Sequence, residues 1–363
     1  MAHSGTRPMD TAQYVGRSLL YRFSADKVTD LAAAMTYYLV LSVFPLMLAV
    51  VSIITMAGGA NQLVPVIEDA ISSATSAEVS QIITRIIQSF LASWGVGLTL
   101  VVSLAAAIWS SSNYIGAFAR AVNTVYQVRE GRNFIKLKAI QLLMTLVLVL
   151  LIVVLVAALA LSAPVALWMG NLVGLGPQFA LVWGWLRYPL MGVVVVIIVQ
   201  MLYFVAPNVR QPRIRVLSVG SLVAIVMAII IVEAFSFYLS YFDGASSYAR
   251  TYGVLAGLVI ALFLMYLVNM ALVIGAEIDA ILERLHQLKM GLPAESGLVL
   301  PPRDSKGITA THNTRAGIIA RGAAIRDAAL AKGAQAPAWY TEQNLHADRD
   351  KSLDADSSSP SPG

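Results

Sequence analysis

Six segments of this chain are each long enough and apolar enough to cross a bilayer, and no other feature constrains its fold as tightly. A hydrocarbon core of about 30 Å needs roughly 20 mostly apolar residues at about 1.5 Å each. The segments run from Ala33 to Ala57, Trp94 to Phe118, Leu137 to Met169, Val182 to Ala206, Val216 to Phe242 and Gly253 to Ile281. In lipid every backbone amide must be satisfied within its own segment or a closed barrel, and runs of this length satisfy it as helices. The expected fold is therefore all-α: a polytopic bundle of about six transmembrane helices spanning residues 33–283, after a polar segment of residues 1–32.

Composition agrees: 58% of residues are hydrophobic and 12% charged, with a mean hydropathy of +0.73. A net charge of +5 would suit a nucleic-acid binder, but the basic residues sit in short segments between apolar runs, where topology alone places them. Nucleic acid is not an expected partner; membrane lipids are. There is no cysteine, and His3, His286, His312 and His346 show no ligand-like spacing, so no metal or cofactor is expected.

Orientation follows from charge. Arg7, Arg17, Arg22 and Lys27 precede the first span, Arg120, Arg129, Arg132, Lys136 and Lys138 follow the second, and Arg210, Arg213 and Arg215 follow the fourth, while the intervening loops carry little beyond Arg85 and Arg250. By the positive-inside rule both termini are cytoplasmic, and the N-terminal segment lacks the apolar core of a signal peptide. The longest outer loop, residues 58–93, carries Val79, Ile82, Ile83, Ile86, Ile87 and Phe90 at helical spacing. It reads as an outer-side amphipathic helix, either a lid or a cover on the bundle rim. Residues 284–363 are polar and rich in Pro, Ser and Gly, and read as a cytoplasmic tail, mostly disordered, with AGIIARGAAIRDAALAKG weakly helical.

Polar residues at membrane depth are the candidate functional positions. Glu233 lies in the outer half of the fifth span; Arg187 is its nearest candidate partner in sequence. The pair reads as a site for a proton or a cationic headgroup, or as a structural ion pair. Gln200 and Asn269 fall in the inner half and read as interhelical hydrogen-bonding groups or as ligands. Asn113 belongs to WSSSNY, expected at a helix end, where it lines a vestibule or meets interfacial water. Pro45 and Pro189 stand inside the first and fourth spans and should bend them. Their shared aromatic-Pro-Leu-Met context raises, without establishing, an inverted repeat. Gly220, Ala224 and Ala228, and Gly253 with Gly257, mark helix faces for close packing.

AAAMTYYLVLSVFPLMLAVVSII, IWSSSNYIGAFARAVNTVYQVREGRNF, LYFVAPNVRQPRIRVLSVGSLVA, FSFYLSYFDGASSYARTYGVLAG and IGAEIDAILER together resemble the YihY/BrkB family, also termed UPF0761 and formerly labelled ribonuclease BN-like. The resemblance covers about residues 30–284. It implies a six-helix protein of the bacterial inner membrane, and makes Tyr37, Tyr38, Pro45, Pro207, Tyr248, Tyr252, Gly253 and Glu277 family-motif positions. It implies no defined catalytic site. Glu277 and Asp279 read as a solvated helix end near Arg284.

Three functions follow. The first is a permease or lipid and envelope-component translocator, with no ATPase of its own because no phosphate-binding GxxxxGK[ST] loop occurs. The second is a scaffold that organises lipids or envelope partners and moves nothing. The third, a membrane-bound ribonuclease, lacks the facing carboxylate clusters that two-metal hydrolysis requires, so the chain is not expected to be an enzyme. Substrate, energy source and oligomeric state stay open at this level.

Overall fold

The computed structural model describes residues 8–56, 98–160, 176–211, 217–241 and 254–335. The expected outer amphipathic helix and the family-motif residues Tyr248, Tyr252 and Gly253 lie outside the described residues. The described chain forms eight α-helices: α1 (Pro8–Ala25), α2 (Val28–Met56), α3 (Leu98–Val125), α4 (Phe134–Ala160), α5 (Gly176–Val205), α6 (Val219–Tyr241), α7 (Val254–Lys289) and α8 (Lys306–Ala331). The only β pairing among the described residues is an isolated bridge between Val209 and Pro302.

Four helices contain stretches long and apolar enough to cross a bilayer: Phe134–Ala158, Leu181–Val205, Val219–Tyr238 and Gly257–Lys289. Their most apolar windows are only 17% to 22% buried within the protein. Leu143, Leu150, Ile197, Ile230 and Phe263 stand exposed on these helices, which requires a lipid solvent around the bundle. This is a polytopic membrane protein.

α2 packs on α3 and α7, and α6 on α7; α4 lies against α3 and α5, and α1 against α7 and α2. The core concentrates toward one end, where Phe118 of α3 stacks on Tyr203 of α5 at 5.8 Å between ring centroids, among Met35, Ile115, Val122 and Ala276. That end also carries α1 and the α3–α4 and α5–α6 connections, and with them most of the basic side chains; it is called the basic end below.

Helix limits differ from the apolar runs in a consistent way. α2 starts five residues before the expected span, and α7 continues eight residues past Ile281. Hydropathy marks where a helix meets lipid, whereas the helix itself ends where its backbone is capped. α7 is closed off just past Lys289 by Gly291, whose φ of 80° lets the amide of Leu292 bond the Gln287 carbonyl at 3.0 Å. WSSSNY is likewise not at a helix end: α3 runs on to Val125, about four turns beyond Trp109.

The chain divides into two compact units, Met1–Gly307 and Ile308–Gly363. The expectation of disorder from residue 284 onward is corrected for part of the tail. After α7, residues 292–307 form a strap under the basic end, with Leu298 and Leu300 packed against the core and the rest tied by backbone and side-chain hydrogen bonds. Gln287 exchanges hydrogen bonds with Val299, donating at 3.2 Å and accepting at 3.0 Å. Arg303 donates to the carbonyls of Val209, at 2.8 Å, and Phe204. In the second unit α8 has no buried residue.

Candidate functional site

A cavity of about 480 Å³ opens inside the bundle, and each of α2 to α7 contributes to its wall. Ser42, Tyr114, Thr145, Val199, Glu233 and Leu272 stand for the six helices in turn. Val195 of α5 and Ile229 and Val232 of α6 line it and remain solvent-accessible.

The wall has few free polar donors. Ser42 and Ser111 each donate to the other's main-chain carbonyl, at 3.5 and 3.4 Å. Ser42 also donates to the Tyr38 carbonyl at 2.6 Å, and Thr145 to the Gln141 carbonyl at 2.8 Å. The Tyr114 hydroxyl donates to Asn269 Oδ1 at 3.0 Å, and Asn269 Nδ2 donates to Thr36 Oγ1 at 3.0 Å. That chain ties α3, α7 and α2 together in the membrane and places Asn269 as interhelical glue. Glu233 is the one charged residue on the wall, about 21 Å along α6 from Val219.

Arg187 is not joined to Glu233 by an ion pair among the described residues. Its guanidinium lies over the Tyr188 ring at 4.7 Å and donates to that hydroxyl at 2.8 Å. Gln200 donates to Ser221 Oγ at 2.6 Å, bridging α5 and α6. Asn113 is exposed and accepts from Lys138 Nζ at 3.2 Å; the same ammonium sits over Trp109 and reaches Ser112. Pro45 and Pro189 lie within continuous helices. Tyr38 packs edge-on to Tyr37 beneath the Arg120 guanidinium. Pro207 is buried in the α5–α6 connection.

Gly220, expected on a close-packing face, meets Gly275 of α7, which sequence reading did not single out; of the other expected pair, Gly253 lies outside the described residues. A Cβ on Gly220 would stand 2.0 Å from the Gly275 carbonyl oxygen, and one on Gly275 would stand 2.5 Å from the Gly220 oxygen. Asp279, expected on a solvated helix end, accepts from the first-turn amide of Gly220 at 2.7 Å, where a carboxylate complements the helix N-terminus. Glu277, expected beside it in solvent, is fully buried instead, and Arg284 turns away to the carbonyls of Ala294 and Glu295.

At the basic end a polar knot holds three connections together. Asn208, fully buried, accepts through Oδ1 from the Asp304 amide at 3.1 Å and donates to the carbonyls of Asp304 and Arg129. Its own amide donates to Asn123 Oδ1 at 2.8 Å, and Asn123 donates to Glu130 at 3.1 Å. Arg132 grips Glu130 with two parallel bonds of 2.7 and 2.6 Å and caps the Ala206 carbonyl. Burial pushes the Glu130 carboxyl up, but the bonds and charge of Arg132 together with Asn123 outweigh it and hold it below the usual carboxylate range. Sequence reading missed this knot, whose signal is an asparagine in an APNVR turn with no apolar role.

Beside the knot lies a second cavity of about 430 Å³, with Gln200, Tyr203, Arg210, Asp279 and His286 on its wall and the strap residues Val299 to Pro301 closing one side.

Residues 19–296 match the family described as virulence factor BrkB. The chain is 28% identical over 273 residues to the ribonuclease-like protein YfkH of Bacillus subtilis, an alignment covering 75% of this chain and 96% of that relative. It is 24% identical over 287 residues to the UPF0761 membrane protein MS0032 of Mannheimia succiniciproducens, covering 74% and 90% respectively. No solved structure matches.

Proposed function

Because the chain belongs to the BrkB family, we propose that it is a permease of the bacterial inner membrane that carries a lipid or another amphiphilic envelope component through its helix bundle, with its basic end in the cytoplasm. The observation that carries this reading is the apolar cavity of about 480 Å³ inside the bundle with Glu233 on its wall. Its volume is that of a ligand pocket. Its lining is apolar apart from hydroxyls already engaged with main-chain carbonyls, one tyrosine engaged with Asn269, and one carboxylate. Such a wall accepts an acyl chain and repels a sugar or a free ion, which would leave hydrogen bonds unmade. A carboxylate at membrane depth is costly unless it meets a proton or a cation, and a cationic headgroup supplies one.

The test is reconstitution of the purified protein in liposomes with a fluorescent lipid in one leaflet. Translocation predicts faster loss of sidedness than in empty vesicles, reduced at least several-fold in Glu233→Gln and in Ala228→Trp, which fills the cavity. Sidedness unchanged by the wild-type protein supports the scaffold reading instead. YfkH's ribonuclease-like name describes that relative; RNA cleavage by the same preparation is the control for it.

A further inference from the structure

Glu277 is the one carboxylate among the described residues whose two side-chain oxygens are both buried without a hydrogen-bond partner. It sits on α7 at 0% side-chain exposure, facing the C-terminal turn of α1. The cation beside it is Arg22, whose Nη1 lies 3.8 Å from Glu277 Oε2. That same nitrogen lies closer to Asp26 Oδ2, at 3.4 Å, and to the Val125 carbonyl oxygen, at 3.3 Å. One guanidinium, itself buried, thus faces two carboxylates, and its nearer contacts are with the other groups.

A buried cluster of two carboxylates and one guanidinium carries an uncompensated negative charge if both acids are ionised, and proteins avoid this by protonation. The remaining charged groups on the elements around α7 are occupied or remote. Arg17 of α1, Lys27 in the α1–α2 turn and Asp30 of α2 are exposed. Arg120 of α3 lies over Tyr38, and Glu233 of α6 lines the membrane cavity. On α7 itself Asp279 binds the Gly220 amide, Glu283 accepts from Gln287, and Arg284 binds the strap. No group of three or more metal-ligating side chains occurs among the described residues.

We propose that Glu277 is a proton-binding site, holding a proton at neutral pH in the interface between α1 and α7, with Arg22 and Asp26 forming the ion pair beside it. Asp26 is the more exposed acid, 16% against 0%, and the nearer to Arg22, so the proton resides on Glu277. The site does not depend on the permease reading; if that reading holds, it provides a titratable contact through which α1 docking responds to proton supply.

The experiment is infrared spectroscopy of the purified full-length protein in detergent at neutral pH. The wild type should show the carbonyl stretch of a protonated carboxylic acid, sensitive to deuteration, and Glu277→Gln should lose it while remaining monodisperse, because glutamine replaces a neutral acid with a neutral amide. Asp26→Asn is the second variant: with one carboxylate left to pair with Arg22, Glu277 should ionise and the band should disappear. A wild type without the band, a band that survives Glu277→Gln, or one that persists unchanged in Asp26→Asn overturns the proposal.

Discussion

Glu130 shows how single side chains hold the basic end together. It receives three hydrogen bonds from Arg132, counting the backbone amide, and one from Asn123. Its carboxyl is held below the ordinary range, so the folded state releases the proton more readily than the unfolded chain does. The stability it contributes is therefore complete above the unfolded carboxylate range and disappears as pH falls through the folded value. Glu130→Gln should lower the melting temperature at neutral pH and flatten its decline toward acid, read by thermal denaturation in detergent across pH. An unaltered acid slope would assign the pH dependence to other carboxylates, Asp304 first among them, since Lys136 and the Lys306 amide also hold it low. At this scale little of the site was legible. Arg22, Asp26 and Glu277 are separated by some 250 residues of sequence, and nothing in the local pattern around Glu277 distinguishes a buried acid from an exposed one. Glu233 was legible because a lone carboxylate in an apolar run is anomalous in any arrangement of helices. Its supposed partner Arg187 was not, because proximity to the same membrane surface does not fix which helix faces meet.

Among elements, the α6–α7 contact is the most exacting. The two backbones approach so closely at Gly220 and Gly275 that a methyl group on either meets main-chain oxygen, and main chain yields less readily than a side chain. The contact is reinforced by Asp279 on the Gly220 amide, and beside it Tyr203 of α5 donates its hydroxyl to the Leu272 carbonyl of α7. Gly220→Ala should destabilise the fold by at least about 1–3 kcal/mol, the usual cost of overpacking. Gly184→Ala and Gly192→Ala, where a Cβ meets nothing within 4 Å, should be tolerated. Denaturant titration of the three variants side by side checks this, and equal stability would mean the two helices can part at little cost. The helices themselves were readable because lipid imposes a minimum apolar length. The small face of α6 was readable too, but its partner was not: the contact falls on Gly275, about six turns along α7 from Val254. The strap escaped notice for a different reason. Pro301, Pro302 and Arg303 look like a solvated linker, yet Arg303, Asp304 and Gly307 find carbonyls and amides presented by the α3–α4 and α5–α6 connections.

For the whole molecule, the decisive property is the segregation of basic side chains along the bundle axis among the described residues. Arg22, Arg132, Lys136, Arg210, Arg284 and Arg303 all belong to the end that carries α1 and the strap, while Arg187 is the lone basic residue in the described half of α5 that leads toward the other end. Basic residues flanking short connections are retained on the cytoplasmic side, and anionic lipid there attracts each of them by about 1 kcal/mol. The orientation can be read directly because the chain has no cysteine of its own. A single cysteine at Ser24, exposed at the end of α1, should react with a membrane-impermeant maleimide only after permeabilisation. One at Gln178, exposed in the first turn of α5 at the opposite end, should react in intact spheroplasts. The reverse pattern would turn the molecule over in the membrane. Glu277 and the strap would then face the periplasm, and the proton held between α1 and α7 would report the pH outside the cell instead of that within.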